Sequence, residues 1–222
     1  AVEATWLGYA CEAFYDWDKE KIVALGRQKN ETMSLSLDEI AFDGGRLVYE
    51  DTGKRISMGS ETVFVYNGRT VGELKPEYFQ DTSGTAVFVD NNRDGIYDFV
   101  HLTVYDYISV AVIERERGYI TDQNDSEKII DLENTQYPPI FSENGEEISI
   151  YNLHQGDLLQ CKNSLDGALV NIERLTQSVA GAVTAIEPSD GSVYIDNVLY
   201  ETTNYFKVHY LKEIDIGMSG IF

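Results

Sequence analysis

Long apolar runs are missing. No stretch approaches the roughly 18 residues that a bilayer-crossing helix needs, so the chain is not expected to insert in a membrane. Basic residues are scarce: 17 Lys and Arg stand against 38 Asp and Glu, a formal charge of −21. Nucleic acid requires clustered cations against its phosphates, so it is excluded as a partner, and anionic membrane surfaces are disfavoured on the same ground. Cysteine is represented only by Cys11 and Cys161, which form no C-x-x-C or Cys/His zinc spacing. Apolar neighbours make both read as buried free thiols rather than a bridge or a nucleophile. So low a count suits a secreted protein from an organism that does not rely on disulfides. The histidines are His101, His154 and His209, and no two stand at metal-ligand spacing. A nucleophile elbow is lacking too: Gly217-Met218-Ser219-Gly220-Ile221 misses the closing glycine of G-x-S-x-G, and no glycine-rich phosphate loop occurs. Serine, cysteine and metal-hydrolase chemistry therefore have no motif, and the expectation is a protein that is not an enzyme. Carboxylate chemistry escapes this exclusion. With 38 acidic residues some pair at about 5–9 Å arises in any fold, which leaves an acid/base glycosidase as an alternative.

What is present is β structure. A composition of 43% hydrophobic and 12% aromatic residues is ample for packed cores in 222 residues. Short runs of alternating or β-branched residues recur between turn signals. A first hairpin is expected around Asp16 to Glu20, a second across Asp43-Gly44-Gly45, and a third at Tyr66-Asn67-Gly68, where Asn-Gly suits the type I′ turn. Leu74 to Phe79, with Pro76 near its start, reads as a single helical turn. Later reversals fall at Glu143-Asn144-Gly145, Asp166-Gly167, Asp190-Gly191 and Asp196-Asn197. Helical periodicity is nowhere sustained over three turns. The segment Glu114 to Ser126 is charged and poor in aliphatic residues, and reads as a linker that includes Asp122, Asn124 and Asp125. The expected fold is thus all-β: two small antiparallel β modules, barrel or sandwich, covering 1–115 and 116–222, with at most short helical turns. The opening AVEATWLGYACEAF has neither the basic head nor the apolar centre of a secretion signal, and an excised piece of a longer mature protein is expected.

The densest motif lies between two apolar runs, from Thr85 to Tyr107. Asp90, Asn92 and Asp94 fall at alternate positions, Gly95 follows, and Asp98 completes D-x-N-x-D-G-x-x-D. On a tightly curled loop this spacing turns three side chains inward, while the peptide oxygen of Ile96 and the carboxylate of Asp98 complete a shell of hard oxygen donors suited to Ca²⁺. An EF-hand is excluded, because its twelfth position would be His101 and the flanks read as strands. The pattern resembles instead the calcium loops set in β-hairpins of extracellular repeat proteins. Arg93 lowers the negative charge and argues for weak, millimolar affinity. A metal-free turn held by Asp and Asn side chains is the alternative.

Near the N-terminus Trp6, Tyr15 and Trp17 crowd together with Asp16, Asp18 and Glu20. They suggest a sugar-stacking platform, against core and edge packing as the plainer reading. Further along, Tyr66-Asn67-Gly68 precedes the D-G-x-Y-D segment from Asp94 to Asp98. Then come L-x-x-G-D-L-L from Leu153 to Leu159, G-x-V-x-x-I from Gly181 to Ile186, and Y-I-D-x-x-x-Y from Tyr194 to Tyr200. From about Arg46 onward this series resembles the non-catalytic β-rich region of surface-layer proteins of Gram-positive, clostridia-like bacteria, which stands beside S-layer homology repeats. The resemblance implies an extracellular, cell-surface location and a structural or adhesive role among other surface proteins or wall glycans. It carries no functional residues over. The leading expectation is a non-enzymatic surface module stiffened by Ca²⁺ at Asp90, Asn92, Asp94, Ile96 and Asp98. The alternatives are a carbohydrate-binding module using Trp6, Tyr15 or Trp17, and the glycosidase.

Overall fold

Alternation of inward apolar and outward polar side chains sets the architecture of the computed structural model, which describes residues 7–79 and 83–222. The chain forms two compact units, Ala1–Val104 and Tyr105–Phe222. In the first, β1 (Cys11–Asp16) and β2 (Lys21–Arg27) make an isolated hairpin, followed by β3 (Glu31–Ser36). The strands β4 (Ile40–Asp43) and β5 (Arg46–Tyr49) reverse over Gly44-Gly45, and β6 (Met58–Tyr66) turns into β7 (Arg69–Val71). Asn67 and Gly68, at φ 44° and 85°, supply the left-handed pair expected for that turn. Then come β8 (Ser83–Asp90) and β9 (Tyr97–Glu114), of which the residues to Val104 belong here. The main sheet of this unit runs β3-β8-β9-β6-β7. A Cβ at Gly84 would fall 2.0 Å from the Thr103 carbonyl oxygen, so only glycine lets β8 approach β9 there. Ala86, Phe88, Val100 and Leu102 alternate along these two strands and are buried against Leu37, Leu47 and Ile56.

The second unit continues from Tyr105 along β9 into β10 (Tyr119–Asp122), β11 (Ile129–Asp131), β12 (Ile140–Glu143), β13 (Glu146–Ile148), β14 (Leu158–Asn163) and β15 (Val170–Leu175). Their order is β11-β10-β9-β14-β15-β12-β13, over a core of Ile108, Val110, Ile120, Leu153, Leu159, Cys161 and Ile172. A smaller sheet, β18-β17-β16-β19, follows from β16 (Ala180–Ile186), β17 (Val193–Ile195), β18 (Val198–Tyr200) and β19 (Ser219–Ile221). Between β18 and β19 lies the single short helix α1 (Asn204–His209), started by Thr203, whose hydroxyl accepts from the Phe206 amide at 3.2 Å. Pro76–Tyr78 forms the expected helical turn, of 3₁₀ type.

The all-β expectation holds, in the sandwich form of the two it allowed, and two of its details do not. Among the described residues no sheet closes: each keeps two end strands, so the arrangement is sandwich-like and not a barrel. Two pairings, β6 with β9 and β12 with β15, are parallel. Parallel neighbours need a long crossover and leave no local turn signature, so a reading by hairpins sees only antiparallel partners. The segment Glu114 to Ser126 is also no linker. It holds β10, with Ile120 and Asp122 buried in the second unit, and the division between units falls inside β9 at Val104 and Tyr105.

Candidate functional site

The turn from Asp90 to Asp98 is organised by main-chain amides. Asp90 ends β8 only 2% exposed, its Oδ1 accepting from the Arg93 amide at 2.6 Å and its Oδ2 from the Gly95 amide at 2.9 Å. Positive φ at Arg93 (63°) and Gly95 (83°) curls the chain so that both amides point inward at that carboxylate. Asn92 Oδ1 accepts from the Asp94 amide at 3.0 Å, and Asp94 Oδ1 from the Ile96 amide at 2.8 Å. The Asn92 amide group donates to Asp94 Oδ2 at 3.1 Å, and Asp98 Oδ2 accepts from the Asn91 amide at 2.8 Å. Asn91 in turn ties the turn to the segment before β1, donating to Gly8 O at 2.9 Å and accepting from the Ala10 amide at 2.8 Å.

All five residues expected around a calcium ion therefore sit in one small bend, four of them oriented by hydrogen bonds within it. Each bonded carboxylate oxygen accepts one such bond and retains a lone pair. No ion pair to Asp90, Asp94 or Asp98 occurs among the described residues, and the Arg93 guanidinium donates to Lys29 O at 2.6 Å instead. Among those residues no three His, Cys, Asp or Glu side chains converge as a ready-made metal cage. The bend can hold a hairpin tip rigid and offers hard oxygen donors. It brings no base up to a nucleophile.

Of the aromatic group, Trp6 lies outside the described residues. Tyr15 and Trp17 are 42% and 84% exposed and meet edge to face, centroids 4.9 Å apart at 74°, which does not present the flat row that a sugar ring stacks on. Asp16 closes that hairpin turn, its carboxyl held below the usual range chiefly by the Lys19 ammonium at 2.9 Å. His101 packs against the rings of Tyr9 and Phe99, each 6.1 Å away, with its Nε2 buried. Burial pushes its pKa down. Cys11 and Cys161 are both free, and burial drives the Cys161 thiol up to about 12, which makes it a packing residue.

One polar centre was invisible in the sequence. Asp122, 3% exposed, accepts from the Tyr205 hydroxyl at 2.9 Å and from the Asn124 amide at 2.6 Å. The same hydroxyl accepts from the Ser109 amide and from the Asn124 side chain, each at 2.9 Å, and the Lys128 ammonium lies 5.3 Å from the ring centroid. Burial and the adjoining Asp122 carboxylate raise the Tyr205 phenol above its ordinary range. Asp122 and Tyr205 are 83 residues apart, and no spacing rule joins them. Their geometry fastens α1 to the larger sheet of the second unit and is structural in kind.

The described geometry defines an all-β protein of open sheets with an amide-organised acidic bend. Comparison of the chain with known protein families, with curated proteins and with solved structures gives no match.

Proposed function

We propose that this chain is a non-enzymatic structural module of a secreted bacterial cell-surface protein, and that Ca²⁺ at the Asp90 to Asp98 bend stiffens the β8–β9 hairpin. The observation that supports the reading is a set of three carboxylates gathered within nine residues, oriented by amides and without a cationic partner among the described residues. Such a group repels itself, and a divalent ion that draws the remaining lone pairs together offsets that repulsion. The acidic surface, at −21, suits a setting where divalent ions are plentiful. The surface location and the partners, other surface proteins or wall glycans, rest on the resemblance to surface-layer proteins.

Calorimetric melting of the chain tests the ion. At calcium ten times above the dissociation constant the first unit gains about 1.4 kcal/mol by mass action, an upward shift that NaCl of equal ionic strength does not reproduce. Asp94→Asn keeps the acceptor that Ile96 uses but removes a charge, so it abolishes the shift while leaving the metal-free melting temperature close to unchanged. No shift at millimolar calcium removes the ion and leaves the structural role to stand alone.

A further inference from the structure

The second unit contains a cavity of about 360 Å³, walled by Val179, Val193, Ile195, Phe206, Ile214 and Phe222. We propose that it is a binding site for one small, uncharged, apolar molecule of one or two rings. Its volume falls within the roughly 300–1,000 Å³ of small-molecule sites. The chemistry of the walls selects the occupant. Apart from Tyr200 and Glu201, the polar side chains of the lining already have partners in the protein. Gln160 Nε2 donates to the Tyr107 hydroxyl at 3.2 Å, and the Thr202 hydroxyl to Gly191 O at 2.9 Å. The Thr203 hydroxyl caps α1, the Tyr205 hydroxyl donates to Asp122, and the Tyr210 hydroxyl accepts from Asn124 at 2.9 Å. A ligand bringing its own polar groups would shed its hydration for little return.

Charge narrows the choice further. Glu201 lies in the lining, no Lys or Arg does, and the chain carries −21, so an anionic amphiphile such as a fatty acid is repelled. Val193 and Ile195, buried core residues of the smaller sheet, form part of the wall, so the space is built into the packing of this unit. The site is independent of the calcium reading, which concerns the other unit.

The test uses the neutral dye N-phenyl-1-naphthylamine on the whole chain. Saturable one-to-one binding with blue-shifted emission is expected, at least tenfold tighter than the anionic dye 8-anilinonaphthalene-1-sulfonate. Val179→Trp, which fills the space, lowers the affinity at least tenfold. Because that variant can also disturb folding, a measurement on the unaltered protein stands beside it: nuclear Overhauser effects from dye protons to the methyls of Val193 and Ile195. The proposal is overturned by absence of saturable binding, by equal affinity for the anionic dye, or by effects to other methyls only. Release of the dye as protein concentration rises would give the cavity to a second copy and overturn it equally.

Discussion

Asp90 and Asp122 are buried to almost the same degree, at 2% and 3% exposure, and both accept amides of their own turn, but only Asp122 also draws on a side chain far away in sequence. Asp90 is satisfied from within its own turn, by amides three and five residues on. Asp122 takes bonds from the amides two and three residues on, and in addition from a tyrosine hydroxyl on a helix 83 residues away. A carboxylate served by its own turn keeps its bonds as long as the turn survives. One served by a distant side chain depends on the packing of the entire unit, and it makes that packing specific, because only one seating of α1 delivers the hydroxyl. The first arrangement suits a bend that meets ions in solvent, the second a joint that must not move.

Truncation sharpens the contrast most strongly. Asp122→Ala leaves the partly buried Tyr205 hydroxyl without its acceptor, at a cost of about 2 kcal/mol in the unfolding of the second unit. Asp90→Ala releases the amides of Arg93 and Gly95, both on exposed residues, where water replaces the lost bonds. Its cost to the first unit is about 1 kcal/mol. Urea titration of each variant checks the order, and an Asp90→Ala loss as large as that of Asp122→Ala breaks the comparison.

The same division decides what could be read from the sequence. The acidic bend is visible in nine consecutive letters because all its bonds are local, and its geometry follows from Asp and Asn acceptors and a glycine at positive φ. The hairpins at Asn67-Gly68, Asn144-Gly145 and Asp196-Asn197 are visible for the same reason, since each pair adopts the left-handed backbone its letters announce. The joint at Asp122 is not. Its acidic neighbours Asp125 and Glu127 make it look like a solvated linker, and only the distant Tyr205 reveals the burial. The parallel β6–β9 and β12–β15 pairs are likewise consequences of long-range pairing.

Titration separates the units with smaller effects. In the second, burial and Asp122 raise the Tyr205 phenol above its ordinary 10.0. The unfolded chain therefore releases this proton near pH 10 while the folded chain keeps it, so stability present below pH 10 is lost as pH rises toward the folded value. In Tyr205→Phe this alkaline loss is reduced, and ultraviolet titration of the native chain loses its last tyrosine to ionise.

The smallest effect belongs to the first unit and has the reverse direction. His101 is held against Tyr9 and Phe99 with its Nε2 buried, and burial lowers its pKa from the ordinary 6.5. As pH falls below 6.5 the unfolded chain takes up a proton that the folded chain refuses, so stability present above pH 6.5 is lost as pH falls toward the depressed folded value. Carboxyls such as Asp16, held below their ordinary 3.8, act only at lower pH, so the histidine step stands apart from them. His101→Gln removes the ionisation and flattens the step that begins as pH falls below 6.5, read as melting temperature against pH. A step that persists in that variant, or one that appears in the second unit, would mean that the buried imidazole of the first unit is not the acid-sensitive group and that the two units do not fail at opposite ends of the pH scale.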